Sequence, residues 1–587
     1  MRYHKGFSEK HWKFLYSLDA FLFAVAIFYM LTLILESGFP LGMRQKIFLG
    51  YINLFVIGLS LFELMIKFLL STSKSYFFGD EFWDFLFTNL LFICVLYVGY
   101  VHFMKLGLPF HPAMLVTPQH EHFILLRIIL IITVLVQFKE FNRILLGLKI
   151  QPVQLLVGGF FILVLLGTVI LSLPLSTVNP ISVFDALFMS TSATCVTGLI
   201  TLETSTDFTF FGQIVLLVLI QVGGLGIMTL GSFIALLLRG GLGIEGRKIM
   251  GEAVEYKAHH QLSSLLGRII RFTFVMEGIG AAIFTWRFYG QFHDFYKSLY
   301  YGIFHAISAF CNAGFALFSD SVIGFQKDPY FLITMSILII LGGIGFLVIA
   351  DMRHYSKTKG FNLKHLAVQT KIVLSITAVL LVVGTALIFF LEYEGQLKHL
   401  SLEYKLLNAF FMSVSPRTAG FNSIHVGLLN PATLLTIMLL MVIGGGSGST
   451  AGGIKVNTLG VLFSLLKATV LNKAKVIIFE RTIPTTTLHK AIAITFFSAL
   501  ITMGAALFIL IHDHRAFTKT IFEAISAFNT VGLSMGLTTQ LSDFSKLVIT
   551  LLMFVGRVGP VSFVAALAQK EKEEAHINYP EENILVG

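Results

Sequence analysis

The chain is 587 residues long, 56% hydrophobic and only 13% charged, with a mean hydropathy of +0.83. Soluble domains carry about 25% charged residues, so this composition excludes an ordinary soluble enzyme or binding module and points to a protein that crosses a bilayer many times. The net charge of +10 does not mark a nucleic-acid partner, because Lys and Arg gather in short connectors between apolar runs, where the positive-inside rule places them.

Residues 1–14 are polar and basic, and the first apolar run is long enough to span, so no cleavable leader is expected. Cys94, Cys195 and Cys311 are too few for a disulfide framework and lack the paired spacing of a zinc site. Four apolar runs come first, near 15–36, 46–70, 82–105 and 122–138, and a basic amphipathic connector follows at 139–151. These runs carry Asp19, Glu63, Lys67 and Asp84, with Arg127 in the fourth, in the loose manner of a voltage sensor. Stepping by three from Arg127 gives Leu130, Thr133 and Val136 before Lys139. Gating charge needs regular basic residues, so a structural bundle is favoured over a voltage-responsive channel.

From residue 151 one pattern repeats four times: a long apolar run, a short helix, a glycine turn and a second apolar run. The turns read STSATCVTGL at 190–199, SAFCNAGF at 308–315, SVSPRTAGF at 413–421 and SAFNTVGL at 526–533. Each contains a glycine followed by Leu or Phe: Gly198, Gly314, Gly420 and Gly532, at intervals of 116, 106 and 112 residues. A second glycine follows 24 to 29 residues later as Gly224, Gly343, Gly445 and Gly556. Short helices are expected near 183–193, 299–312, 403–415 and 516–528. Each is too brief to cross a membrane, so it must enter and return on one side. The resulting divisions are 1–150, a four-helix region; 151–262, 263–364, 365–482 and 483–569, the repeats; and 570–587, a polar tail. The fold expected is an all-α polytopic membrane protein with four pseudo-symmetric helix–pore loop–helix repeats around one pore, preceded by four extra transmembrane helices.

Charge sets the sidedness. Stretch 239–271 holds six Lys/Arg, 351–371 five and 467–490 five, whereas 174–209 on the turn side holds none. The connectors between repeats, and with them both termini, are therefore expected in the cytoplasm of a cell whose plasma membrane holds the chain, with the pore loops entering from outside.

A cation leaving water needs its hydration oxygens replaced, which rings of backbone carbonyls do well. The C-terminal end of each short helix, partially negative, would face the axis and favour a cation. The residues ending at each glycine are Cys195, Val196, Thr197 and Gly198; Cys311, Asn312, Ala313 and Gly314; Arg417, Thr418, Ala419 and Gly420; and Asn529, Thr530, Val531 and Gly532. Their side chains differ while the glycine recurs, which fits a filter made of carbonyls. Glycines that merely let helices pack are common in membranes, but four copies in one context outweigh that reading. Arg417 would repel cations if it faced the path, so its side chain is expected behind the filter on a buried partner.

With SPRTAGFNS (415–423), GGGSGSTAGGIKVNT (444–458), VGRVGP (555–560) and YPEENILVG (579–587), the chain over about 150–587 resembles the Trk/Ktr/HKT superfamily of potassium transporters, in particular its KtrB-type membrane subunits. The resemblance implies a K+ pore, a homodimer, and a cytosolic ring of nucleotide-binding RCK-type regulatory subunits. Serine at the first filter glycine goes with sodium permeation in plant relatives. Gly198 therefore implies potassium selectivity, with Na+ as a candidate coupling or activating ion. No organic cofactor is expected.

The stretch Gly444, Gly445, Gly446, Ser447, Gly448, Ser449, Thr450, Ala451, Gly452 and Gly453 holds six glycines in ten residues. Each costs about 1 kcal/mol against alanine in a helix, so the second run of repeat three is expected to unwind where backbone faces water or protein. The resemblance makes this loop, with Lys455, an intramembrane gate. Arg557 is a charge inside an expected span and functional by default, as an electrostatic barrier or a latch on the loop. Two enzyme readings compete. Gly445-Gly446-Ser447-Gly448 matches the GxSG of intramembrane serine proteases, but His489, His512 and His514 sit near span ends, poorly placed to serve Ser447 as base. A phosphate-cradling loop would need Lys after its glycine, where Ile454 stands.

Overall fold

The computed structural model describes residue 32 and residues 42–70, 152–237, 262–358, 366–560 and 562–563. In the N-terminal region it shows one helix, α1 (Met43–Leu70). The other three runs expected there, with Asp19, Asp84 and Arg127, lie outside the described residues, as do much of the basic connector 239–271 and the tail 570–587.

Repeat one comprises α2 (Pro152–Leu171), α3 (Val183–Thr194) and α4 (Phe210–Leu237). Repeat two has α5 (Leu262–Phe292), α6 (Phe295–Cys311), α7 (Pro329–Ile344) and α8 (Phe346–Thr358). Repeat three has α9 (Val368–Leu391), α10 (Leu402–Val414), α11 (Pro431–Val442) and α12 (Val456–Val470). A two-residue-per-strand hairpin, β1 (Ile477–Ile478) and β2 (Arg481–Thr482), leads to repeat four: α13 (Thr485–Asp513), α14 (Phe517–Phe528) and α15 (Asp543–Val558). Among the described residues, three single helices are long and apolar enough to cross a membrane, within α5, α9 and α13, and α7 with α8 qualifies as a broken fourth.

The sequence reading expected one span over 330–350. Instead α7 and α8 meet at 90° across Gly345. Gly345 has φ +104°, and Phe346 N–H there donates to Gly448 O at 2.9 Å, so the bend is fixed by the glycine-rich loop of the next repeat. The run expected over 544–568 likewise ends its helix at Val558, with Gly559 at φ +93°.

Caps explain where the helices begin. Ser182 accepts from Asp185 N–H ahead of α3, Asp294 from Lys297 N–H ahead of α6, Asp328 from Phe331 N–H ahead of α7, and Ser542 from Ser545 N–H ahead of α15. Each satisfies an amide that the first helical turn leaves unpaired. Further contacts tie the two outer helices within each of repeats two, three and four to each other at their turn-side ends. Arg287 of α5 pairs with Asp328. Glu392, just past α9, accepts from Asn430 N–H at 2.9 Å and Thr433 Oγ1 at 2.7 Å, and Asp513 accepts from Ser542 N–H at 3.0 Å.

Closure of the four repeats is visible in the packing. The helix following each turn lies against the short helix of the next repeat: α4 on α6, α7 on α10, α11 on α14, and α15 back on α3. Lys546 of α15 crosses that last seam to Asp185 of α3 at 2.7 Å, both side chains largely buried. Small residues let these helices press as well on the short helix of their own repeat. A methyl at Gly223, Gly342 or Gly556 would strike the carbonyl of Thr194, Phe310 or Phe528 respectively. Each of these lies four residues before its turn glycine. Gly224 and Gly343, singled out from the sequence, instead face the side chains of Cys311 and Asn312.

Candidate functional site

The four short helices α3, α6, α10 and α14 end at one point, and the backbone leaving them has one shape. Two residues before each glycine φ is positive, at Val196 (55°), Asn312 (62°), Thr418 (76°) and Thr530 (50°). At the glycines it is positive again: 92° at Gly198, 72° at Gly314, 78° at Gly420 and 94° at Gly532. The four pieces form a closed ring. A methyl carbon on Gly198 would lie 2.6 Å from Ala313 O, and one on Gly314 would lie 3.0 Å from Ala419 O. On Gly420 it would meet Val531 O, and on Gly532 it would meet Thr197 O, returning to repeat one. Only glycine fits all four places, because each is both left-handed and pressed on the next repeat's backbone.

The side chains of these turns are buried. Cys195, Val196, Thr197, Cys311, Asn312, Ala313, Thr418, Ala419, Asn529, Thr530 and Val531 are all buried, and so is Arg417. What faces the open space above is the glycine backbone. Gly198, Gly314, Gly420 and Gly532 together floor a cavity of about 380 Å³ whose walls include Glu203, Thr204, Asp320, Asn422, His425, Ser534 and Thr538. Glu203 and Asp320 are its acidic residues, and no Lys or Arg is among its lining residues. Burial, together with the Asp207 carboxylate beside it, holds the Glu203 carboxyl above its ordinary range.

Serines prop the ring. Gly198 N–H donates to Ser192 Oγ and Gly532 N–H to Ser526 Oγ, each at 3.1 Å. Ser308 Oγ donates to Phe315 O at 2.7 Å, and Ser415 Oγ to Phe421 O. Sequence reasoning gave these hydroxyls little weight. Their signal was a serine six residues before the glycine in three repeats and five before it in the third. A second pair went unread: His305 and Glu523, each nine residues before its glycine. Fully buried, they hold the segment just past the ring. His305 Nε2 accepts from Leu317 N–H at 3.3 Å, and Glu523 accepts from Ser534 Oγ at 3.0 Å and from Thr538 Oγ1.

Arg417 points behind the ring, and its NH2 donates to Thr377 Oγ1 of α9 at 3.1 Å. Thr377 is the buried partner that the sequence reading left unnamed.

Where repeat three should continue as helix, residues 443–455 form a loop between α11 and α12. Its two ends bridge each other, Gly444 N–H donating to Ile454 O at 2.8 Å and Val456 N–H to Gly445 O at 3.1 Å. Repeat two holds one side: Gly446 N–H donates to Gly343 O at 2.8 Å, and Thr450 Oγ1 to Phe310 O at 3.3 Å. Repeat four lies against the other. A methyl on Gly453 would come within 2.7 Å of Asn529 Oδ1, and one on Gly452 would strike the Thr530 side chain. The loop therefore lies against Asn529 and Thr530 of the turn after α14. Lys455 folds back so that its ammonium caps Ala451 O and, at 3.1 Å, Gly452 O. Arg557 of α15 reaches across with NH1 on Thr450 O and NH2 on Gly223 O at 2.8 Å, spanning repeats one, three and four. Ser449 accepts from Ala451 N–H at 3.2 Å within the loop. Ser447 Oγ accepts from Asn457 Nδ2 at 2.9 Å, which supplies no base for a nucleophile.

The chain is similar to known cation transport proteins. The profile of TrkH, described as a cation transport protein, matches residues 152–578. Ktr system potassium uptake protein B of Bacillus subtilis is 38% identical over 448 residues, covering 76% of this chain and 99% of that protein. The protein of the same name from Vibrio alginolyticus is 39% identical over 437 residues, 74% of this chain and 94% of that one. Potassium/sodium uptake protein NtpJ of Enterococcus hirae is 39% identical over 447 residues, 75% of this chain and 98% of that one. The crystal structure of the potassium transporter TrkH from Vibrio parahaemolyticus superposes with a TM-score of 0.57 at 19% identity, over 81% of this chain and 98% of that one. At that identity the likeness establishes the fold alone.

Proposed function

The chain belongs to the TrkH family of cation transport proteins, and we propose that it is the ion-translocating subunit of a potassium uptake system. The observation that carries this reading is the closed ring of Gly198, Gly314, Gly420 and Gly532, which offers backbone and not side chains to one cavity. A K+ entering from the cavity exchanges water for the carbonyls of the four turns, with the C-terminal ends of α3, α6, α10 and α14 aimed at it. Four turns of like backbone give one ion a nearly symmetric cage even though the side chains behind it differ. The reading takes residues 151–262, 263–364, 365–482 and 483–569 as the four pore units.

The loop 444–453 is the gate in this reading. It lies against the underside of the α14 turn, and Arg557 and Lys455 hold it through carbonyls. None of these bonds belongs to a helix's own i to i−4 ladder, so the loop can leave without dismantling a helix. A catalytic role is set aside, because the family is one of ion transporters. Both termini are taken as cytoplasmic in the plasma membrane, following the distribution of Lys and Arg. A homodimer and a cytosolic RCK-type subunit are the partners the resemblance proposes. Sodium is proposed as a coupling or activating ion, since one relative bears the name potassium/sodium uptake protein.

The test is cation flux by the purified chain in proteoliposomes. Potassium and rubidium should move well ahead of sodium, and Ser447→Ala should move them equally well. Sodium flux equal to potassium flux, or no cation flux in any gradient, would remove the reading.

A further inference from the structure

The cytoplasm-facing hairpin between repeats three and four has no role in the pore, yet its chemistry is specific. Its strands pair Ile477 with Thr482 and Ile478 with Arg481, and Ile483 N–H donates to Val476 O at 2.9 Å. Alternation along a strand sends side chains to opposite faces. Val476 and Ile478 go inward, into a cluster with Ile372, Val461, Ala468 and Leu488. Lys475, Ile477 and Phe479 go outward, with Ile477 58% and Phe479 49% exposed. The tip is a turn with φ of 45° at Phe479 and 63° at Glu480. Two-residue hairpin turns of this kind ordinarily use Asn and Gly, and a bulky aromatic at positive φ is an outlier that points to a use for the side chain.

Depth follows from α13. Its C-terminal Asp513 is bonded to Ser542 at the cap of α15, on the side of the filter cavity. With 29 residues the helix is about 43 Å long, more than the ~30 Å hydrocarbon layer. Its first residue, Thr485, thus emerges among the headgroups of the opposite leaflet, and the hairpin ends just before it. Exposed Leu466, Val470 and Leu471 at the end of α12 continue the apolar surface up to the same level.

The charges complete the picture. Lys473, Lys475 and Arg481 are exposed and make no ion pair among the described residues. Glu480 is the only carboxylate between residues 471 and 484. A partly apolar surface with clustered cations at headgroup depth complements a negatively charged lipid surface. We propose that the hairpin 476–483, with Lys473 and Lys475, is a docking site for the phosphate headgroups of anionic phospholipids in the leaflet opposite the pore loops, with Phe479 and Ile477 seated among the acyl chains.

The experiment is native mass spectrometry of the purified full chain, titrated with phosphatidylglycerol or phosphatidylcholine. Phosphatidylglycerol should bind in preference, and the preference should shrink as salt rises. Each of Lys473→Gln, Lys475→Gln and Arg481→Gln should weaken phosphatidylglycerol binding about fivefold, and the triple variant about a hundredfold. Glu480→Lys should strengthen it. That gain keeps the test decisive should the triple variant fail to fold. Phe479→Gly should weaken both lipids together. Inorganic phosphate at matched concentration should not displace the lipid. Equal binding of the two lipids, unchanged binding by a folded triple variant, or displacement by phosphate alone would overturn the proposal. Retained lipid binding by the triple variant with loss of a cytosolic protein would mark the hairpin as a protein contact instead.

Discussion

The ring makes a graded prediction that a generic glycine argument does not. Alanine at any of the four filter glycines must hold a left-handed backbone, which costs roughly 1–3 kcal/mol for a residue with a Cβ. The collision on top of that differs by position. At Gly314 the nearest atom to an added methyl is Ala419 O at 3.0 Å, which a shift of a few tenths of an ångström relieves, whereas at Gly198 it is Ala313 O at 2.6 Å. At Gly420 and Gly532 the methyl would fall closer still, onto Val531 O and Thr197 O. The atoms struck are the carbonyls proposed to cage the ion, so relief moves the cage itself. Damage should therefore rise in the order Gly314, Gly198, Gly420, Gly532. Since 1.4 kcal/mol is tenfold, the potassium-to-sodium flux ratio should fall by about one decade for Gly314→Ala and about two or more for Gly532→Ala. Gly198→Ser should lose potassium selectivity, and, because its Cβ meets backbone, lose thermal stability as well. The assay is paired potassium and sodium flux in proteoliposomes alongside thermal unfolding. A Gly532→Ala protein that keeps its selectivity while Gly314→Ala loses it would refute the ring argument.

Arg557→Ala removes both carbonyl contacts that tie the loop to repeats one and four, and should raise potassium flux; unchanged flux and unchanged regulation would show that it is not a latch. Glu203→Gln with Asp320→Asn should raise the potassium concentration for half-maximal flux severalfold at low ionic strength, with little effect on the maximum and less effect in high salt; no shift in half-saturation would sink it. Because the Glu203 carboxyl titrates above its ordinary range, it is charged and attracts cations above that raised value and goes neutral as external pH falls through it. Half-saturation should accordingly rise on acidification earlier than an unshifted glutamate would give, and Glu203→Gln should abolish that part of the pH dependence. Asp185→Asn leaves Lys546 without its partly buried partner at the seam between repeats four and one. It should cost about 1–3 kcal/mol, read as a lower unfolding temperature with the potassium-to-sodium ratio preserved.

How much of this was legible beforehand follows from what repeats and what does not. The pore helices, the four glycines and the unwinding at 444–453 were legible because each needs a local property, a short apolar run or a residue without Cβ, that recurs at a steady interval. Arg417 was half legible: its charge dictated a place behind the filter, but Thr377, forty residues away, had no signal of its own as partner. The Gly345 bend was missed because its cause is non-local. GGIGF reads as a continuing helix until the backbone of Gly448, a repeat away, supplies the acceptor that Phe346 N–H turns to meet. That same contact bears on the gate reading. The loop of repeat three is bonded to the broken helix of repeat two through Gly343 and Phe346, to the short helix α6 through Phe310, and to repeat four through Arg557. Three of the four repeats press a glycine onto the end of a pore helix, at Gly223, Gly342 and Gly556, and the third has the loop instead. In the proposed reading, pseudo-symmetry is kept at the turns that would coordinate the ion and broken at the loop that would move, so opening the gate would leave the backbone ring in place.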